Sequence, residues 1–164
     1  RTQRSQAASS PTPSMRLLSR TPIRTFILYP IITLAWELSI NRGNLNFNPL
    51  FLPLMLWGLL QYRLCGLYRL KHGGGGPGLE NPPEHLVSTG PYAYTRNPMY
   101  LGHVIYLTGL TLTLRSWFGA ALTVAVAIWF HIRVLGDEKK LAVKLGQPYI
   151  DYMESVKRWI PGLL

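Results

Sequence analysis

The sequence predicts an all-α integral membrane protein, a bundle of four transmembrane helices. Three observations predict it: four apolar segments, a one-sided distribution of lysine and arginine, and a two-residue break too short for a soluble loop. The segments run from about Pro22 to Ile40, Pro49 to Leu70, Tyr100 to Leu114 and Trp117 to Val134. The first, second and fourth approach the ~20 residues that cross a hydrocarbon core. The third needs Pro98 and Met99, or the turn residues, to complete it. Arg115 and Ser116 then join the third and fourth as a tight helical hairpin.

The 164-residue chain has a formal net charge of +10. In a soluble protein that balance would suggest nucleic acid. Here no basic stripe with interleaved aromatics appears, so no nucleic-acid partner is expected. The cations flank the apolar segments instead, which suits membrane orientation and anionic head groups. Four spans put both termini on one side. The 17 lysines and arginines then fall fifteen inside and two outside, the two being Arg42 and Arg115. Three or five spans would scatter them. Both termini are therefore expected on the cytoplasmic side.

Residues 1–21, rich in Ser, Thr, Pro and Arg and free of acids, read as a disordered basic tail. Residues 22–71 read as the first transmembrane pair, and 72–164 as the functional core. The stretch after Ile40 (Asn-Arg-Gly-Asn) gives no small-x-small cleavage pattern, against a cleaved signal peptide. The single cysteine, Cys65, excludes an internal disulfide and reads as a small buried apolar side chain. Glu37, at the far end of the first span, is expected to be exposed at the interface. Gly73 to Gly78 is a flexible loop by composition. It lacks the Gly-Lys-Ser/Thr ending and the preceding strand of a phosphate-binding loop.

The informative stretch is Leu86 to Gly102, polar and aromatic, running directly into the third apolar segment. Gly90-Pro91 and Asn97-Pro98 are turn signals. Three tyrosines and Arg96 crowd the membrane edge, which fits either an aromatic belt or a site. His103 is ionisable inside an apolar segment, and such residues are functional candidates by default. Gly102, Tyr106 and Gly109 share a stripe that lets another helix approach closely. After Gly146, Tyr149, Tyr152, Val156 and Trp159-Ile160 suggest a short amphipathic helix on the inner surface.

The run Leu86-Val87-x-x-Gly90-x-Tyr92-x-x-x-Arg96-Asn97-Pro98-x-Tyr100-x-Gly102 resembles the signature of membrane methyltransferases related to isoprenylcysteine carboxyl methyltransferase and phospholipid methyltransferases. The tail supports this: Arg133, Asp137-Glu138, Leu141, Gly146, Tyr149, Tyr152 and Trp159-Ile160-Pro161 follow in that family's order. The resemblance covers roughly Pro82 to Pro161. Two departures stand out. Asn97 occupies a place where the family often has His, and Glu84 stands where it often has another His, with His85 one place later.

The resemblance implies an S-adenosyl-L-methionine-dependent enzyme acting on a lipid-like substrate, with no metal. It implies a cofactor-binding loop before the third span and a cofactor-capping C-terminal segment on the inner face. Carried over by position, Leu86, Val87, Gly90, Tyr92, Arg96, Asn97, Tyr100 and Glu138 would line the cofactor. Arg133, Glu138 and His103 are the candidate catalytic residues. Arg133 would hold an anionic head group or carboxylate, and His103 or Glu138 would take the proton of an amine acceptor. On an unbroken helix Arg133 and Glu138 stand about 140° apart. Arg133 then pairs with Asp137 and His131 with Glu138, unless Gly136 loosens the helix. Two other classes compete: a sterol-reductase-like enzyme using NADPH, and a non-catalytic membrane anchor.

Overall fold

The computed structural model describes residues 20–76 and 79–160. The expected basic tail lies outside the described residues except for Arg20 and Thr21, as do Pro77 and Gly78 of the glycine run and Pro161 of the tail motif. Among the described residues every regular element is helical, with no strand. Four long helices, α1 (Thr21–Ile40), α2 (Pro49–Gly73), α3 (Pro98–Leu114) and α4 (Trp117–Leu145), precede a short α5 (Gln147–Ser155). Three of them, α1, α2 and α4, are long and apolar enough to cross a membrane. The chain is thus a multi-pass helical membrane protein.

Hydrogen bonds at the helix ends show that the four run alternately between two ends of the bundle. At one end Glu37 of α1, Asn48 before α2, Thr113 of α3 and Ser116 before α4 meet. At the other, Thr21 contacts Glu80 and Arg133, and the carbonyl of Gly73 accepts from the backbone of Glu84 and His85. That second end holds a cavity.

The first turns of α1 show why its path is particular. Residues Arg24–Leu28 form a widened π turn in which Tyr29 N–H bonds to the Arg24 carbonyl. Pro30 follows, and a proline neither donates to the carbonyl four residues back nor tolerates it closely. The wider turn relieves that clash. Thr21, Thr25, Thr33 and Glu37 form a buried polar stripe on the inner side of α1, while Ile27, Ile31, Trp36 and Ile40 face outward.

Helix α3 is the centre of the bundle, with eleven of its residues buried. It starts at Pro98, one of the two completions the short apolar segment allowed, with Pro in the first turn where no donor is lost. It meets α2 backbone to backbone. A Cβ on Gly58 would lie 2.4 Å from the Tyr106 nitrogen, and one on Gly102 2.8 Å from the Gly58 carbonyl oxygen. Gly109 likewise lies against Met55. In lipid, such close approach replaces the hydrophobic drive between helices. The α3–α4 hairpin is as tight as expected. Arg115 takes a left-handed conformation, and the Ser116 hydroxyl caps α4 by accepting from the Gly119 N–H at 2.8 Å.

Two expectations need correction, for Glu37 and for His131. Glu37 is not exposed: it is buried and accepts from the Ser116 hydroxyl at 2.6 Å and from Asn41 at 2.9 Å. Helix α4 runs past the apolar segment that ends at Val134, on to Leu145, and passes Gly136 without a break. Its 29 residues span about 43 Å at 1.5 Å per residue, more than a bilayer core needs. The apolar content marks where the core ends, not where the helix ends. His131 does not pair with Glu138; its Nδ1 accepts from the Trp159 indole at 3.1 Å.

Candidate active site

The end of the bundle where the chain re-enters at Glu80 and leaves at Trp159 encloses a cavity of about 340 Å³. That lies within the ~300–1,000 Å³ of ordinary small-molecule sites. Its floor is the start of α3, one wall is the extended end of α4, another is the 79–97 loop, and α5 closes it. Apolar contacts come from Leu79, Leu86, Val87, Met99, Leu141 and Leu145. Charge comes from Arg69, Glu80, Arg96, Arg133, Asp137, Glu138 and Lys140.

The loop is shaped by its own chemistry. Gly90 adopts φ +58°, and a Cβ there would sit 2.6 Å from the Tyr68 ring, so a side chain is excluded twice over. The following turn, Gly90–Ala93, points Tyr92 inward, where its backbone carbonyl accepts from the Tyr152 hydroxyl at 2.6 Å. Burial pushes the Tyr92 hydroxyl well above its ordinary range. Burial, helped by the charge of Glu138, raises that of Tyr149 to about 12. Both therefore stay protonated, and the Tyr92 hydroxyl donates to the Cys65 carbonyl at 3.5 Å.

Glu138 is the hub. Its carboxylate is almost fully buried and meets Arg96 through Nε at 3.0 Å and through the terminal nitrogen at 3.3 Å. Arg158 reaches it at 2.9 Å, and the Asn97 amide donates at 3.2 Å. Arg96 also donates to the Met153 carbonyl. Backbone bonds from Arg96 to Lys157, and from the Thr95 hydroxyl to the Arg158 carbonyl, tie the loop to the C-terminal segment. Two cations meet one buried carboxylate, and of the three only Arg96 and Glu138 line the cavity.

A second cluster lies at the cavity's edge. The Tyr100 hydroxyl donates to Asp137 at 2.8 Å, and Arg133 approaches Asp137 at 3.7 Å, the i,i+4 pair expected on an unbroken helix. Arg133 also donates to the Thr21 hydroxyl at 3.0 Å and lies 4.0 Å from Glu80. Burial alone would raise the Glu80 carboxyl. The hydrogen bonds from the Thr21 backbone and hydroxyl, with the Arg133 charge, outweigh it and hold the group below its ordinary value.

Of the residues singled out from sequence, Leu86, Val87, Tyr92, Arg96, Asn97, Tyr100, Arg133 and Glu138 all line this cavity. Arg133 and Glu138 reach it from different sides of α4 without any break at Gly136, because the cavity wraps around the helix end. Gly90 does not line it; it supports the loop from behind against Tyr68. His103 does not line it either. Its ring is fully buried among Phe26, Tyr62 and Phe130, with neither nitrogen hydrogen-bonded. Sequence reasoning missed Arg69 and Glu80. An arginine near the end of an apolar helix reads as orientation charge, and Glu80 has only a glycine-rich neighbourhood to mark it. The short helix at the C-terminus is Gln147–Ser155, and it buries Tyr149 and Tyr152 against the cavity.

Comparison with known proteins points the same way. Residues 77–145 match the family model described as phospholipid methyltransferase. The protein-S-isoprenylcysteine O-methyltransferase of Schizosaccharomyces pombe is 32% identical over 83 residues, which are 49% of this chain and 35% of that protein. The chain therefore spans about a third of the length of that curated relative. The match to the family model runs from the glycine-rich segment before the loop to the end of α4, so it contains the cavity's floor and two of its walls. The resemblance carried by Leu86–Gly102, with Arg133, Asp137-Glu138 and Leu141 of the tail motif, is borne out for that part of the chain.

Proposed function

We propose that this protein is a membrane methyltransferase that uses S-adenosyl-L-methionine to methylate a lipid-like acceptor. The single observation that carries the reading is the convergence of the signature residues Leu86, Val87, Tyr92, Arg96, Asn97, Tyr100 and Glu138 on one cavity at the end of a membrane bundle. The donor set fits the cofactor's chemistry. Arg96 in the cavity wall suits an amino-acid carboxylate. Apolar Leu79, Leu86, Val87 and Leu141 suit a purine, and the Asp137 carboxylate can accept from hydroxyl or ammonium groups.

When bound, the cofactor supplies a methyl group on a positively charged sulfur, ready for in-line attack. The protein's task is alignment and exclusion of water. Loop 79–97 and α5 close the cavity on both sides and do the excluding. Arg96, fixed by Glu138, orients the bound carboxylate. Glu138 acts here as the positioning residue for Arg96 and Arg158, since both its oxygens are occupied. Arg133 holds the acceptor's anionic group at the edge. A carboxylate acceptor needs no base. For an amine acceptor Asp137 is the better-placed base, because it faces the cavity while His103 stands behind the wall.

We further read α3 as a fourth span. Its 17 residues are near the lower limit for crossing, and it is flanked by helices long and apolar enough to cross. Both termini and the cavity then share the cytoplasmic side. Titration calorimetry of the detergent-solubilised protein with S-adenosylhomocysteine, and separately with NADPH, tests the reading. S-adenosylhomocysteine binding that weakens at least tenfold in Arg96→Ala is expected. Binding of NADPH alone would replace it with a reductase, and binding of neither with an anchor.

A further inference from the structure

A second basic cluster lies on the membrane side of the cavity. The π turn of α1 carries Arg24 toward α4, where its guanidinium lies 5.0 Å from the centre of the Trp129 ring. Arg133 approaches the same indole at 5.5 Å. One aromatic ring thus attracts two like charges that repel each other. Arg133 is partly compensated by Asp137 and Glu80. Arg24 has no carboxylate partner among the described residues, and its Nε is buried without a hydrogen-bond acceptor. Arg20, one helical turn earlier and exposed, adds a third cation. A buried donor left unpaired beside like charges is costly unless an anion completes it.

The surroundings say which anion. Along α1 from Arg24, Ile27 and Ile31 are 54% and 59% exposed. Beside Trp129 on α4, Ile128 and Ile132 are 57% and 63% exposed. Both apolar faces continue along helices able to cross a membrane. A soluble anion would use only the cations, whereas a lipid uses both.

We infer that Arg24, Trp129 and Arg133 form a binding site for the anionic head group of a phospholipid whose chains lie along α1 and α4. The site shares Arg133 with the cavity, so it seats a lipid phosphate directly beside the proposed methyl-transfer centre. The inference rests on that proposed function only for the use made of the lipid, not for its binding.

Native mass spectrometry of the purified full chain, titrated with phosphatidylglycerol and with phosphatidylcholine, tests it. Phosphatidylglycerol is expected to bind more tightly than phosphatidylcholine, and Arg24→Gln to weaken it about tenfold or more. Arg24→Lys should keep most of the affinity. Arg63→Gln, an exposed arginine on α2 outside the cluster, should keep all of it. S-adenosylhomocysteine affinity of Arg24→Gln, measured by calorimetry, should stay at the wild-type value and show that the variant is folded. Equal losses in Arg24→Gln and Arg63→Gln would reduce the cluster to general interfacial charge. Displacement of phosphatidylglycerol by inorganic phosphate at a comparable concentration would make it a soluble-anion site. Either result overturns the inference. Lipid binding that follows Arg24 in a protein that ignores S-adenosylhomocysteine would uphold this site and remove only the methyltransferase reading.

Discussion

A carboxylate that faces a ligand and a carboxylate held between two arginines respond differently to the same substitution. Glu138 belongs to the second kind. Replacing it with Gln leaves Arg96 and Arg158 facing each other, Arg96 with only 7% of its side chain exposed. Breaking a buried pair in this way costs about 3–5 kcal/mol. Glu138→Gln should therefore lower the thermal midpoint in detergent as well as S-adenosylhomocysteine affinity. Arg158→Gln should cost less than Arg96→Gln, because the Arg158 side chain is 27% exposed and better screened. Equal midpoints for wild type and Glu138→Gln would show that the hub does not hold the loop. Glu80 gives a pH signature at the same scale. Its carboxyl is held below its ordinary value of 4.5 in the folded protein. Its contribution is thus complete above that ordinary value and disappears as pH falls through the lower folded value. Stability should drop on acidification below about pH 4.5, and Glu80→Gln should flatten that part of the profile. An unchanged acid limb in Glu80→Gln would show that the Thr21–Glu80–Arg133 contact adds nothing.

At the scale of helices, the sequence was most legible where apolar content and geometry coincide. The starts of α2 and α4 followed from Pro49 and from the Arg115–Ser116 break, while Pro98 at the start of α3 was one of two completions that its short apolar segment allowed. The packing stripe of Gly102 and Gly109 could be read from small residues seven apart, and α2 meets both. Its partner Gly58 could not, since one glycine in a helix carries no register. Adding a Cβ at Gly58 puts it 2.4 Å from backbone, which no rotamer relieves. Gly58→Ala should thus cost at least the ~1–3 kcal/mol of an overpacked core, read as a lower unfolding midpoint. Unchanged stability would mean that α2 and α3 can move apart freely. The end of α4 and the burial of Glu37 were not legible, for one reason. Hydropathy reports the solvent a segment meets, and a charged helical extension or a carboxylate bonded across the bundle reads as mere polarity. Ser116→Ala tests the latter contact. It removes both the donor to Glu37 and the cap of α4, and a hydrogen bond to a charged group contributes about 1.5–3 kcal/mol. A loss well below that, by thermal unfolding, would mean that water replaces the hydroxyl.

For the whole molecule, the site was legible as a list of residues and not as a place. The loop and tail motifs are some forty residues apart in sequence, and only antiparallel packing of α3 and α4 brings Arg96 to Glu138 at 3.0 Å. That packing has a consequence for topology. Asn46 lies in the connection beside Thr113, at the hairpin end, whereas Ser88 lies in the loop over the cavity. If α1, α2, α3 and α4 all cross, the two positions face opposite sides of the bilayer. The native Cys65 is buried, and Cys65→Ala gives a thiol-free background that removes little volume. Asn46→Cys and Ser88→Cys, each made on that background and reconstituted in sealed vesicles, should react with a membrane-impermeant thiol reagent from opposite faces. Each should become fully reactive only when the vesicles are opened or when its own face is outside. The cytoplasmic side is expected to be that of Ser88, where the basic residues of the loop and C-terminal segment collect. Labelling of both from one face would mean that α2 does not cross. The cavity would then lie against a re-entrant helix pair rather than at the rim of a spanning bundle.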